Sequence, residues 1–292
     1  MTRTAEMMQR IGIRAELLAH DDLLKMEPQL HGDDIHAGVY EPAGGYADPA
    51  LAANSFANAA RVLGVEIMLR TTVTDLIVNH GRIKGVITTR GEIATDQVIN
   101  IAGPWGAEIA AKAGVSIPIV PSSHAVVTLV RPQTWRTNTP VWSDLVNGWY
   151  FKPEKMGSIM VGSIHDIPVE DKKPIEDLPT APSYDEVETY SAAVLKRFPV
   201  MVDARVQGGW VGVYDVTPDY QPVIDKISQI EGFYCAVGFS GHGFKIGPAV
   251  GQAMAELVVQ GKCSSYDLQI FRHSRFAKQQ SSRSAYAYGI IG

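Results

Sequence analysis

Residues 238 to 258 read GFSGHGFKIGPAVGQAMAELV. Gly241, His242, Gly243, Phe244 and Lys245 fall between an apolar run, EGFYCAV, and a segment with helical spacing. A strand, a glycine-rich turn and a helix are a common way to hold a phosphate or a cofactor. The first turn of a helix offers backbone N–H groups without intrahelical partners, together with the positive end of the dipole. Lys245, just ahead of Pro248, adds a full positive charge. Such a loop favours an anionic or electron-accepting group held close to backbone that glycines leave open. From spacing alone, a glycine-rich packing turn with an exposed lysine is an equal reading. Two sharper motifs fail. Gly241, Gly243 and Gly247 give GxGxxxG, one residue longer than the dinucleotide fingerprint, and Gly243 is followed by Phe244, Lys245 and Ile246 where a phosphate loop needs Gly-Lys-Ser/Thr.

Other residues that could do chemistry carry less. His31 and His36 in HGDDIH match no standard ligand spacing, so they read as a solvated loop and no metal site is expected. His124 and His165 stand near β-rich segments and are secondary candidates for a pocket, as is His242 for an active site. Trp142 and Trp149 read as core or pocket wall. Cys235, inside the apolar run, reads as a buried reduced thiol, and with Cys263 it forms neither a CxxC nor a disulfide framework.

The elements that position the loop follow from pattern. Residues 1–46 read as one or two helices and a loop-rich segment. In EPAGGYADP, Asp48 is a good N-cap and Pro49 a good first helical residue; the helix they open lines up Ala52, Phe56, Ala59, Ala60 and Leu63 and stops at Gly64. TVTDLIV (72–78), IKGVITT (83–89) and EIATDQVINIA (92–102) read as three strands of a meander. GPWGAEIAAKAG is then a tight turn and a short helix closed by Gly114. IPIVP, HAVVTLV, GWYFKP and SIMVGSI make 117–165 β-rich. A Pro- and acid-rich connector (167–186) feeds a helix ending near Phe198. GGWVGVYDV leads back to the loop, whose helix carries Val250, Ala253, Met254, Leu257 and Val258 as an apolar stripe for a sheet.

Composition bounds the function. The chain has 292 residues, 46% hydrophobic and 20% charged, with a formal net charge of −5. That size supports two structural units, and that charge argues against a nucleic-acid partner. The basic stretch FRHSRFAKQQSSRS (271–284) reads as a solvated tail, with an anionic partner the minor alternative. The first residues lack a signal-peptide core, and no apolar run is long enough to span a bilayer, so a reducing cytoplasm is the expected address.

Three ordered segments, VINIAGPWGAEIAAKAGV (98–115), VYDVTPDYQPVID (213–225) and GFYCAVGFSGHGFKIGPAVG (232–251), resemble the D-amino-acid-oxidase-like FAD-dependent oxidoreductases. The resemblance runs from about Ala15 to Phe276, and GFSGHGFK with TPD points to the branch of sarcosine oxidases and sarcosine and dimethylglycine dehydrogenases. It implies an α/β (α+β) fold: a FAD-binding domain of the glutathione-reductase type, interleaved with a substrate domain on a large antiparallel sheet. The FAD domain would comprise 47–116 and 217–292, and the substrate domain 1–46 and 117–216. By resemblance, Gly241, His242, Gly243, Phe244 and Lys245 lie along the flavin's pyrimidine edge, Val73 meets the adenine through its backbone, and Ala102, Gly103 and Trp105 form the turn beside the cofactor. The same resemblance implies that Lys245 helps hold the substrate carboxylate, that Tyr214 is an active-site tyrosine and that Tyr150 is an aromatic wall of the pocket. The implied reaction is oxidation of a small amino acid, N-methylated ones such as sarcosine included, by hydride transfer to flavin.

The chain departs from that pattern in three places. No strand–GxGxxG–helix unit occurs in residues 1–46, so the FAD domain is expected to lack its N-terminal part and its own pyrophosphate cradle. A partner subunit or an upstream segment would supply that part or accept electrons; a truncated, non-catalytic remnant that binds no FAD by itself is the alternative. Met160 matches a lysine that promotes reaction with oxygen, which favours a dehydrogenase over an oxidase. Gly212 matches a position where some oxidases carry a cysteine linked to flavin, so a noncovalent flavin is expected.

Overall fold

The computed structural model describes residues 1–135, 139–154, 157–164 and 174–278. Contacts divide the chain into two units. The first comprises Met1–Val65, Ala125–Ser163 and Ala181–Trp210, and the second Glu66–His124, Ile164–Thr180 and Val211–Gly292.

In the first unit, α1 (Thr2–Arg10) precedes an antiparallel pair, β1 (Glu16–Ala19) and β2 (Ala37–Tyr40), with α2 (His20–Met26) between them. The larger sheet has the order β11-β7-β10-β9-β8. Its strands are β7 (Val120–Val130), β8 (Trp142–Asp144), β9 (Trp149–Pro153), β10 (Ser158–Ser163) and β11 (Arg205–Val216), and the chain crosses between units within β7 and β11. Alternate residues Ala125, Val127 and Leu129 of β7 are buried, as are Phe151, Ile159 and Val161, the period expected of a sheet with one packed face. Against β9 and β10 lies α5 (Tyr184–Arg197), opened by a reciprocal pair of bonds between Ser183 and Glu186. Trp135, Trp149, Phe151 and Phe198 stack and meet edge-on in the same core, which assigns Trp149 to packing.

The helix α3 (Pro49–Val62) starts as the sequence predicts: Pro49 is its first residue and the Asp48 carboxylate accepts the Leu51 amide at 2.9 Å. Its apolar stripe behaves otherwise. No residue of α3 is buried, and Phe56 is 64% exposed. The cap and the helix's own ladder hold it, without a packed face.

In the second unit, β3 (Val73–Asn79), β4 (Arg82–Thr88) and β5 (Gly91–Ala94) form the antiparallel meander. The run EIATDQVINIA is two strands, not one. The Thr95 hydroxyl bonds the Gln97 amide and carbonyl, turning the chain so that β6 (Val98–Asn100) joins a different sheet. That sheet has the order β12-β13-β6, with β12 (Val223–Lys226) antiparallel and β6 parallel to β13 (Phe233–Val237). Every residue of β13 is buried, as the unbroken apolar run FYCAV requires of a strand covered on both faces. Phe233, Cys235 and Val237 face a core shared with Ala110 and Ala113, beside α4 (Gly106–Lys112). Tyr234 and Ala236 face Met254 and Leu257 of α6 (Gly243–Gln260). Burial pushes the Cys235 thiol up to about 12, so it stays protonated.

The basic stretch near the C-terminus corrects an expectation. Arg275, in the short helix α7 (Ser274–Ala277), is buried and pairs with the buried Asp219 carboxylate at 2.8 and 3.0 Å. A guanidinium fork meeting a carboxylate in two bonds outweighs the solvation of an exposed tail. Residues beyond 278 lie outside those described. Among the described residues, no helix is long and apolar enough to cross a membrane, and no group of His, Cys, Asp and Glu could hold a metal ion.

Arg197 is, like Glu27, a buried charged residue of the first unit. It pairs with Asp144 at 2.8 Å and with Asp34. Burial alone would raise the Asp144 carboxyl, but hydrogen bonds from Asn147 and Arg197 hold it below its usual range. Its contribution to stability is therefore complete above the unfolded carboxylate pKa and is lost as pH falls through the lower, folded value. Arg197→Met leaves Asp144 enclosed and unpaired, and lowers the unfolding free energy by about 3 kcal/mol. Urea denaturation checks this; a loss below about 1 kcal/mol contradicts a buried pair.

Candidate functional site at the carboxyl ends of two parallel strands

Parallel strands end on the same side. Phe233, Tyr234 and Cys235 register with Val98, Ile99 and Asn100, so the turn after β6 and the loop after β13 leave the sheet together. In open α/β sheets this carboxyl edge is where ligands are received.

The first turn carries Ala102, Gly103 and Trp105. Asn100, buried at the end of β6, organises it: its Nδ2 donates to the Gly106 carbonyl at 2.8 Å and its Oδ1 accepts the Ala102 amide at 3.2 Å. Gly103 adopts φ +52°. A side chain at Gly106 would come within 2.7 Å of Val237, so glycine there lets α4 begin directly against the end of β13. The Trp105 indole donates to Glu176 at 3.1 Å.

The second loop runs from Gly238 into α6. Gly238, Ser240 and Gly241 all have positive φ. The helix begins at Gly243, with His242 as N-cap, so Lys245 belongs to its first turn and Pro248 lies inside it. That shifts the helix start ahead of Pro248. No side chain caps the N-terminus of this 18-residue helix, which leaves its dipole and first-turn amides directed at whatever lies beyond. Lys245 is partly solvent-exposed, and desolvation by the surrounding protein lowers its pKa. His242 is shifted down as well, by burial first and then by the Lys245 charge, and its Nδ1 lies 3.1 Å from the Phe239 carbonyl. At neutral pH the imidazole is therefore neutral, with Nδ1 donating.

Tyr214, near the end of β11, stacks on His124 with ring centroids 4.1 Å apart. His124 Nε2 and Ser122 Oγ are 3.0 Å apart. Burial raises the Tyr214 pKa, keeping the phenol protonated. The next residue, Asp215, was not singled out in the sequence, nor were Asn100 and Ser240, and Thr217 entered only as part of TPD. The Asp215 carboxylate accepts the Gly238 amide at 2.6 Å, and its main-chain carbonyl accepts the Ser240 amide at 3.2 Å. Burial raises this carboxyl, while amides of Gly238, Phe239 and Ser240 work against that. TPD has a structural role: Thr217 bonds the Ser240 hydroxyl, and Asp219 holds Arg275.

The second unit therefore contains Ala102, Gly103, Trp105, Tyr214 and Gly241 through Lys245, with the two loops at one sheet edge. Val73 is in that unit too, at the head of β3 and paired with Thr88. Tyr150 belongs to the first unit. It lies on β9 opposite Gly162, where any side chain would meet its hydroxyl at 2.6 Å, so glycine gives the ring its place. Met160 is on β10, paired with Lys152. His165 lies outside the described residues. His31 lies 3.5 Å from the exposed Asp33.

A glycine-rich loop and an uncapped helix at the carboxyl edge of a parallel strand pair are features common among nucleotide- and cofactor-binding proteins. The chain belongs to the DAO family of FAD dependent oxidoreductases, whose model matches residues 1–257. It is 27% identical over 301 residues to the mitochondrial sarcosine dehydrogenase of Mus musculus, covering 96% of this chain and 32% of that protein. It is 28% identical to the sarcosine oxidase subunit beta of Rhodobacter capsulatus, covering 83% of this chain and 57% of that protein. Among solved structures it is similar to the L-proline dehydrogenase of P. horikoshii, with TM-score 0.86 and 30% identity, covering 95% of this chain and 73% of that one. The chain spans about a third of the length of curated relatives such as sarcosine dehydrogenase.

The geometry makes a direct prediction for His242. Burial and the Lys245 charge hold its imidazole below the ordinary histidine range, and Lys245→Met moves its titration upward by removing the neighbouring positive charge. NMR titration of the ring protons reads both; an unchanged value in the variant contradicts the coupling.

Proposed function

We propose that this chain carries the flavin-edge and carboxylate-anchoring half of an amino-acid oxidoreductase site. It acts on a small amino acid such as sarcosine and passes electrons to an acceptor other than oxygen. The observation that carries this reading is the uncapped N-terminus of α6 beside Lys245, at the carboxyl edge of the parallel pair β6 and β13 in a FAD-dependent family. The names of the relatives, a sarcosine dehydrogenase and an L-proline dehydrogenase, support a secondary amino acid as substrate.

The residues fit a flavin at this place. Glycine with positive φ at 241 brings backbone close to the ligand without a side chain between them. The helix dipole and Lys245 complement negative charge on the pyrimidine edge. Bound there, FAD supplies the two-electron acceptor. Lys245 anchors the substrate carboxylate by a charge-assisted hydrogen bond, and the carboxylate's charge opposes the desolvation that lowers the Lys245 pKa. Tyr214, neutral and held by His124, presents a hydroxyl to the polar end of the substrate. Tyr150 is assigned to the pocket wall by the family resemblance. The FAD domain is assigned to 47–116 and 217–292, with Val73, Ala102, Gly103 and Trp105 along the cofactor, and the substrate domain to 1–46 and 117–216. The pyrophosphate cradle comes from a segment or subunit besides this one, and the name of the relative described as a subunit beta supports such an assembly. Gly212 offers no nucleophile, in keeping with a noncovalent flavin, and Met160 in place of a lysine supports the dehydrogenase reading.

Purified protein, supplied with a complementing strand–GxGxxG–helix segment, is expected to take up FAD and to show a flavin absorbance band that sarcosine or proline bleaches without oxygen. A preparation that stays colourless under those conditions overturns the proposal. In the assembled enzyme, Lys245→Met raises KM for the carboxylate substrate by roughly 10–100-fold, the worth of one charge-assisted hydrogen bond. An unchanged KM removes Lys245 from the carboxylate site.

A further inference from the structure

We propose that Asp215 is the positioning residue of this site: it holds the loop from Gly238 to His242, and with it the start of α6, in register with the strand that carries Tyr214. Tyr214 and Asp215 are successive residues of β11, so their side chains leave opposite faces of the strand. Tyr214 stacks on His124 on one face. On the other, the Asp215 carboxylate is 7% exposed and accepts the Gly238 amide at 2.6 Å. The same residue's carbonyl takes the Ser240 amide at 3.2 Å, so Asp215 grips the loop twice.

The loop needs such a grip. Gly238 stands at φ +78° and Ser240 at φ +52°. A serine in that region is strained and persists only when its surroundings over-determine it. Here they do. Ser240 is fully buried, its hydroxyl accepts the Thr217 amide at 3.2 Å and donates to the Gly238 carbonyl at 3.3 Å. The Thr217 methyl occupies the space that a side chain at 238 would need. Asp215 draws the loop down, Ser240 pins it, and Thr217 blocks the alternatives.

A buried carboxylate ringed by amides is a strong and directional acceptor, because the charge has no solvent to turn to. It is nearly closed to solvent and engaged with loop amides. Asp215 therefore acts through the loop and not by touching a ligand. The inference rests on the proposed function only for what the loop faces; the grip itself is a property of this chain.

Amide hydrogen exchange on the full chain tests it. Asp215→Asn keeps the shape and removes the charge. It is expected to speed exchange at Gly238 by roughly 10–100-fold, the value of a hydrogen bond to a charged group, and at Ser240, whose amide the Asp215 main-chain carbonyl still accepts, by less. The amides that pair β12 with β13 keep their protection. Ser240→Gly removes the serine strain and the hydroxyl pin together, and Gly238 stays protected there because the carboxylate remains. Unchanged exchange at Gly238 in Asp215→Asn overturns the proposal, and so does equal loss across β12 and β13, which would make Asp215 a general core residue. FAD titration of the assembled protein is the second arm. Asp215→Asn is expected to weaken FAD binding at least tenfold. A loosened loop with unchanged FAD affinity would uphold the grip and overturn the flavin-facing assignment of the loop.

Discussion

Three residues of parallel pairing between β6 and β13 underlie the whole site. Val98 to Asn100 and Phe233 to Cys235 are far apart in the chain, yet their ladder puts two turns on one edge. The alternation of β13 then distributes the helices. Its odd-numbered residues face the core beside α4 and its even-numbered ones face α6, so each helix packs on its own face of one strand. A slip of one residue would exchange the two faces and detach both helices from their cores. The site is precise because the strand between its helices has no exposed residue.

Buried charge is resolved differently in each unit. In the first, Arg197 gathers two carboxylates, one enclosed and one half-exposed. In the second, Asp219 meets Arg275 in a two-bond fork, while the Asp215 carboxylate takes main-chain amides. The Asp219–Arg275 pair reaches the loop through Thr217, whose hydroxyl lies near both Asp219 and Ser240. The Asp215 carboxylate grips the loop directly, where an acceptor rigid in position and selective for N–H groups is of most use.

Local chemistry made much of this legible in sequence. Asp48 followed by Pro49 marked a helix start, FYCAV marked a strand buried on both faces, and the stripe from Val250 to Val258 marked a helix lying on a sheet. GFSGHGFK with AGPW and TPD pointed to the family. What stayed hidden depended on partners distant in the chain. Arg275 looked like part of a basic tail until its carboxylate, 56 positions away, was visible. EIATDQVINIA looked like one strand because nothing local shows that Val98 pairs with Phe233. Tyr214 could be read from its motif, but the stacking on His124 and the work of Asp215 required the folded strand. The stripe on α3 misled because periodicity records which residues share a face, not whether another element covers it.

Pro248 gives α6 an unusual mechanics. Lacking an N–H, it cannot bond the Phe244 carbonyl, so one rung of an otherwise unbroken helix is missing. That gap falls between the turn that carries Lys245 and the turns that Met254 and Leu257 seat on β12 and β13. A bend imposed on this helix is therefore taken up just behind Lys245, where the ladder has one bond fewer to break.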